Sequence, residues 1–500
     1  MYDLFLGNTT YTLLLALTAV IVGRILGPDG YGLYTIALII PPFLFNAIRL
    51  GLDTAATRYA ARLISEGRDR EANLFVYAMV LVEVGLAVAF TAVFLLLSGV
   101  LASRVLNRPD IGATILPIAI LSVVGQAAYT VTASGLFGLG RYGSAALFQA
   151  LQGLTKLVVS VVLILAGFGV AGAVAGYTAS FFVSGLLGLI LVMAISGAAI
   201  PKGLKADLTT GVHYGWPVYL SVLASGFVAP AINTLLALTV SNSQIGGYST
   251  AGTFNSLIAL FTYPIATVLF PLFSRKVDEP VSLAKTYRTS VWFTGLLVVP
   301  VASFVIAFSV PLMVTFYGRA YSFGAEFLAV FASINLLAGL GSLSWSALLN
   351  GIGRTRDALV STAIGSAVSV ISAILLIRGV GTVGAIAGQA VGTAVMLFLG
   401  VWMVRRSLRV GLALSAPWKI YLSAGLTGLV TYPISWLVEQ PEASLVLGAA
   451  VFVVVFIPLL AVFRTVSPEA MDSLRSYLGF SKLISRPLEV AIRYYKLVAR

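Results

Sequence analysis

Two ionisable side chains, Glu83 and Lys156, fall in the middle of long apolar runs. A charge placed there has no water to solvate it, so each marks a functional position by default. Glu83 is the one acidic residue deep in such a run, which makes it the candidate for coupling to a proton or a sodium ion. Lys156 is a candidate for holding an anion, and pairing of the two with each other is the plain alternative. Arg49, Asp53 and Arg58 cluster at the end of another run. Arg49 and Asp53 are four apart and share a helical face. In that arrangement Arg49 and Arg58 can hold an anion while Asp53 positions one of them, or the three simply close a helix end as a salt bridge. Arg24 ends the first apolar run, where it can meet the same anion or reach to the interface. The amides of Asn233, Asn255 and Asn335 can bond the hydroxyls of a substrate or bond across helices.

Other chemistry is excluded or weakened. The chain has no cysteine, so disulfides and thiolate metal sites are ruled out, and one histidine, His213, cannot build a zinc centre or most histidine-based catalysis. No metal site, cofactor or enzymatic activity is therefore expected. The stretch GLGRYG at 138–143 has the G-x-G-x-x-G spacing of a dinucleotide loop. That loop needs a strand before it and an acid about 20 residues on. Here an apolar helix precedes it and no acid follows at 158–166, so the glycines are read as a tight turn. A Walker-type phosphate loop is absent as well.

The elements that carry these residues are membrane helices. Hydrophobic residues make up 59% of the 500, charged residues 10%, and mean hydropathy is +1.00. The expectation is an all-α polytopic protein of about fourteen spans, each of about 20 residues. The basic residues orient it. Of 31 Lys and Arg, 25 fall in loops after even-numbered spans and in the tail, 5 fall on the other side, and Lys156 is within a span. Both termini should be cytoplasmic by that bias. The net charge of +13 is thus mainly a topology signal, with attraction to anionic membrane lipids as a secondary effect and no nucleic-acid partner implied.

An internal repeat divides the chain. SGLFGLGR at 134–141 returns as ALLNGIGR at 347–354, at an offset of 213, and GVAGAVAG at 169–176 returns as GTVGAIAG at 381–388. Six spans separate the copies, so both turns face the same side and the halves are parallel repeats about an axis along the membrane normal. The expected organisation is a first lobe over 1–198, a cytoplasmic linker over 199–213, a second lobe over 214–409, two further spans over 410–464, and a cytoplasmic amphipathic tail over 465–500. The glycines at 169–176 and 381–388 are read as close helix contacts.

The stretches GRILGPDGYGLYTIA at 23–37 and GLDTAATRYAAR at 51–62 resemble the start of polysaccharide flippases of the Wzx or O-antigen type. These belong to the multidrug/oligosaccharidyl-lipid/polysaccharide (MOP) exporter superfamily. The resemblance implies a multi-pass protein of the cell membrane. It implies that a lipid-linked oligosaccharide, carried on a polyprenyl phosphate or pyrophosphate, moves from the cytoplasmic to the outer leaflet. Access would alternate through a cationic cavity between the lobes, for cell-surface glycan synthesis. The alternative within the superfamily is a cation-coupled exporter of drugs or other small molecules, which needs buried acids. One deep acid against several arginines favours the anionic substrate.

Overall fold

The computed structural model describes residues 2–197, 219, 223, 226–274, 279–408, 417–465 and 495. The linker at 199–213, with His213, and nearly all of the tail lie outside the described residues. Among the described residues the structure is helical and has no strand. In chain order the helices are α1 (Tyr2–Ala37), α2 (Ile40–Ile48), α3 (Leu52–Ser65), α4 (Asp69–Leu96), α5 (Ile115–Gly138), α6 (Tyr142–Leu163) and α7 (Gly169–Ser196). They continue with α8 (Val228–Thr239), α9 (Asn242–Ser274), α10 (Pro280–Ala307), α11 (Ser309–Tyr317), α12 (Gly324–Asn335), α13 (Ser344–Gly351), α14 (Thr355–Leu408), α15 (Pro417–Thr431) and α16 (Pro441–Val462). Shorter turns join some of them.

Among the described residues, seven helical stretches are long and apolar enough to cross a membrane, or eight if the bent pair α12–α13 is one span. Several are too long for a single crossing. α14 has 54 residues, and at 1.5 Å per residue that is roughly 80 Å against a hydrocarbon core of about 30 Å. The backbone breaks it at Gly381 (φ 59°, ψ −137°), as Gly27 (φ 67°, ψ 176°) breaks α1 just before Pro28. Between α6 and α7 the break is at Gly169 (φ 53°, ψ −131°). Pro300 does not break α10, which runs on to Ala307.

The glycine repeat has the same geometry in both copies, and it divides the roles of the glycines. α5 ends where Gly140 (φ 72°) turns left-handed. The Arg141 amide there donates to the Leu136 carbonyl at 2.9 Å and the Gly140 amide to Phe137 at 3.1 Å. The equivalent turn has Gly353 (φ 80°), Arg354 donating to Leu349 at 2.8 Å and Gly353 donating to Asn350 at 3.2 Å. Both turns are Schellman caps that satisfy the last carbonyls of a helix. Gly169 and Gly381 form a second matched pair, and nothing lies within 4 Å of where their side chains would be. They are helix breaks and do not make the close contacts expected of them from the sequence. Gly176 and Gly388 do make such contacts. A methyl group on Gly176 would lie 2.5 Å from the Ser160 backbone, and one on Gly388 would lie 2.6 Å from that of Ala373.

The described residues cluster into two compact units. Unit 1 comprises residues 1–253 with 366–389. Its core packs Leu52, Ala56 and Ala60 of α3 against Phe75, Val76 and Met79 of α4, with Val131 of α5 and Val192 of α7. Polar bonds gather further segments into it. Arg108 donates to the Asn242 side chain, Thr382 donates to Gln244 at 2.9 Å, and Gln389 donates to Tyr248 at 3.0 Å. Unit 2 comprises 254–365 with 390–500. Phe273, Tyr287, Trp345, Leu348, Leu397 and Val404 form one buried cluster there, and Leu296, Val299, Ile420, Ala424 and Leu460 form another.

Candidate functional site

Unit 1 builds a charged cluster where α2 gives way to α3. Leu50 (φ 47°) and Gly51 (φ 76°) are left-handed and stop the helix between Arg49 and Asp53. The two residues therefore do not lie along one continuous helix, as their spacing implies. They meet across a turn closed by the Leu52 amide, which donates to the Arg49 carbonyl at 2.9 Å. The Arg49 guanidinium donates to the Asp53 carboxylate. Asp53 is in the first turn of α3, where the helix dipole favours a negative charge. The guanidinium also lies 5.4 Å from the centre of the Phe45 ring. Both members are largely enclosed, with side-chain exposures of 22% and 9%. Thr57, one turn on, donates to the Ser134 carbonyl at 2.9 Å and ties α3 to α5.

Glu83 of α4 faces this cluster. It is fully buried, neither carboxyl oxygen has a hydrogen-bond partner among the described residues, and the described charges that act on it are those of Asp53 and Arg49. Lys156 of α6 is placed differently. Its ammonium lies 5.2 Å from the centre of the Tyr177 ring, and among the described residues no ion pair joins it to Glu83. The pairing of these two that the sequence allowed is thus not formed. Sequence reasoning passed over Tyr177, and also Tyr11 and Tyr129, whose hydroxyls hydrogen-bond each other. Their signal was available, as three hydroxyls inside apolar runs.

The remaining candidates are dispersed. Arg24 and Arg58 are exposed on α1 and α3. Asn233 is half-buried on α8. Asn255 belongs to unit 2, where it accepts a hydrogen bond from Asn335, so these two amides bond between helices. In the loop before α5, Arg108 grips Asp110 through two hydrogen bonds of 2.9 and 2.8 Å. That grip holds the Asp110 carboxyl below its ordinary value. The link is therefore fully made above the ordinary carboxylate range and is lost as pH falls through the lowered value. Among the described residues no three His, Cys, Asp or Glu side chains come together to hold a metal ion.

The polysaccharide biosynthesis protein family matches residues 21–326, more than half of the chain. The chain belongs to that family. The chain is 25% identical over 179 residues to the probable flippase AglR of Haloferax volcanii, covering 35% of this chain and 37% of that one. It is 23% identical over 223 residues to the probable low-salt glycan biosynthesis flippase Agl15 of the same organism, covering 42% and 46%. The matches span less than half the length of these relatives. Its fold is that of a lipid II flippase MurJ in an inward closed conformation, with a TM-score of 0.76, 14% identity, and 93% and 99% of the two chains covered. An inward-facing multidrug resistance MATE transporter of the MOP superfamily shares it, with a TM-score of 0.68, 17% identity, and 82% and 99% covered. The chain is thus a multi-pass membrane protein with the fold of these two transporters.

Proposed function

We propose that this protein flips a lipid-linked oligosaccharide, carried on a polyprenyl phosphate or pyrophosphate, from the cytoplasmic to the outer leaflet. The observation that carries the reading is the enclosed Arg49, held by Asp53 in a helical unit of a protein related to glycan flippases. A phosphate and its sugars cannot cross hydrocarbon alone, because each unpaired polar group costs several kcal/mol there. An enclosed guanidinium replaces lost hydration with a bidentate, charge-assisted bond. Arg49 is the primary anion contact, Arg58, Arg24 and Lys156 are further cationic stations, Asp53 positions Arg49, and the Asn233 amide meets sugar hydroxyls. Glu83 is the coupling site. The chain crosses the membrane about fourteen times as two parallel six-helix lobes plus a final pair, with both termini cytoplasmic. Access alternates between the two faces. The cation-coupled exporter reading draws on the same fold and on Glu83, but one deep acid serves an anion carrier better than a cation carrier.

The test is reconstitution in liposomes with a fluorescent lipid-linked oligosaccharide whose outer-leaflet fraction is read by a membrane-impermeant quencher. The wild type should equilibrate the label across the leaflets, and Arg49→Ala should slow this at least tenfold. Equal rates in the two would remove Arg49 from the site. Uptake of an organic cation, with no movement of the labelled lipid, would replace the flippase reading with the exporter one.

A further inference from the structure

The surroundings of Glu83 deepen the proposed function, on which this inference rests. We propose that Glu83 is a proton site linked to the anion site at Arg49, such that the lipid phosphate and one proton bind together. The geometry is specific. Glu83 has no exposed surface and no hydrogen bond to either oxygen among the described residues. An ionised carboxylate in that position would have neither water nor a donor to stabilise it. The helices packed against α4 offer little charge to compensate. α2, α5 and α7 contain no Asp, Glu, Lys, Arg or His, and α3 contributes Asp53, Arg58 and Arg62. The charges acting on Glu83 are Asp53 and, just before α3, Arg49. Arg49 is already matched one-to-one by Asp53, so of the two charges acting on Glu83 among the described residues no net positive charge remains, and a proton on Glu83 itself is the counter-charge.

A phosphate arriving on Arg49 adds negative charge to this neutral pair. Ionised Glu83 would then face Asp53 and the phosphate with a single guanidinium among the three, so phosphate binding favours the protonated carboxyl. By reciprocity, a proton on Glu83 favours phosphate binding to the same extent. The proton comes from solvent and is added to a Glu83 oxygen, with no bond broken elsewhere. A metal cation fits the position less well. Hard cations need several oxygen ligands, and no third carboxylate or histidine joins Glu83 and Asp53 among the described residues.

The experiment is calorimetric titration of the full-length protein in detergent with farnesyl phosphate, in buffers of differing ionisation enthalpy and in sodium or potassium salts. For the wild type, at a pH high enough to ionise Glu83 in the lipid-free protein, the expected result is net uptake of up to one proton per lipid phosphate. The affinity should fall as pH rises, by at most about tenfold per pH unit. Glu83→Gln should bind the lipid phosphate with no proton uptake beyond that of the ligand itself and with a flat pH profile. Infrared difference spectra of the wild type alone, with and without lipid phosphate, provide a measurement independent of the variant's folding, and the carbonyl stretch of a protonated carboxylic acid should grow on binding. Binding without proton uptake at any pH, uptake beyond the ligand's own that persists in Glu83→Gln, or a sodium-dependent gain in affinity abolished by Glu83→Gln would each overturn the linkage and leave the flippase reading standing. Failure of the wild type to bind farnesyl phosphate at any pH would overturn both.

Discussion

Arg49 needs a guanidinium and not merely a positive charge, because it serves two acceptors in turn, the Asp53 carboxylate and the proposed phosphate. A planar fork can bond Asp53 and the phosphate through separate N–H groups, whereas an ammonium on a flexible stem acts as a point charge. Arg49→Lys should therefore keep the fold and lose roughly tenfold in affinity for a short polyprenyl phosphate, or about 1.4 kcal/mol, placing it between the wild type and Arg49→Ala in the same titration. Asp53→Asn should act on stability instead. It leaves a largely enclosed guanidinium without its counter-charge, and losing a hydrogen bond to a charged group costs about 1.5–3 kcal/mol, read as a lower unfolding temperature in detergent. The Arg49–Asp53 pair was legible in the sequence from its four-residue spacing. The turn through which the pair forms was not, since Leu50 gives no hint of a left-handed backbone. The approach of Glu83 to the pair depends on how α4 packs on α3, and no local pattern carries that.

At the scale of elements, the repeated glycines show what pattern reading can and cannot separate. A glycine is kept either because its backbone needs a positive φ or because a neighbouring helix leaves no room for a side chain, and the letter in the sequence is the same. Gly140 and Gly353 belong to the first kind, with open space where a side chain would go. Gly140→Ala and Gly353→Ala should each cost about 1–2 kcal/mol, the left-handed penalty for an L-residue, and the two losses should be similar because the turns are equivalent. Gly176 and Gly388 belong to the second kind. Their valine variants would overlap the backbone of the preceding helix and should cost about 3 kcal/mol or more, at or above the upper end for overpacking. Thermal unfolding in one detergent checks all four. A loss in Gly140→Ala exceeding that in Gly176→Val would invert the assignment of turn and contact. The repeat itself was legible because it recurs at a fixed offset. The division of roles within it was not, because it depends on the path of the neighbouring helix.

At the scale of the whole molecule, the proposed direction of transport depends on which face of the membrane each loop occupies. Lys and Arg in short loops are retained on the cytoplasmic side, and with the proposed fourteen spans 25 of 31 fall in one set of loops and the tail. The proposed parallel repeat adds a second constraint, that positions 213 apart in the glycine turns face the same side. Tyr142 and Thr355 are such a pair, at the first residues of α6 and α14, and both are exposed. Ser322, exposed in the turn before α12, belongs to the opposite set. The chain has no cysteine, so Tyr142→Cys, Thr355→Cys and Ser322→Cys each introduce a single thiol that a membrane-impermeant maleimide can report without background. Ser322→Cys should react in intact cells, whereas Tyr142→Cys and Thr355→Cys should react only after permeabilisation. Labelling of Tyr142→Cys and Thr355→Cys from opposite sides would break the parallel repeat. Labelling of all three with the sides exchanged would keep the repeat and invert the orientation, and the turn at Arg49 would then lie near the leaflet to which the glycan lipid is delivered.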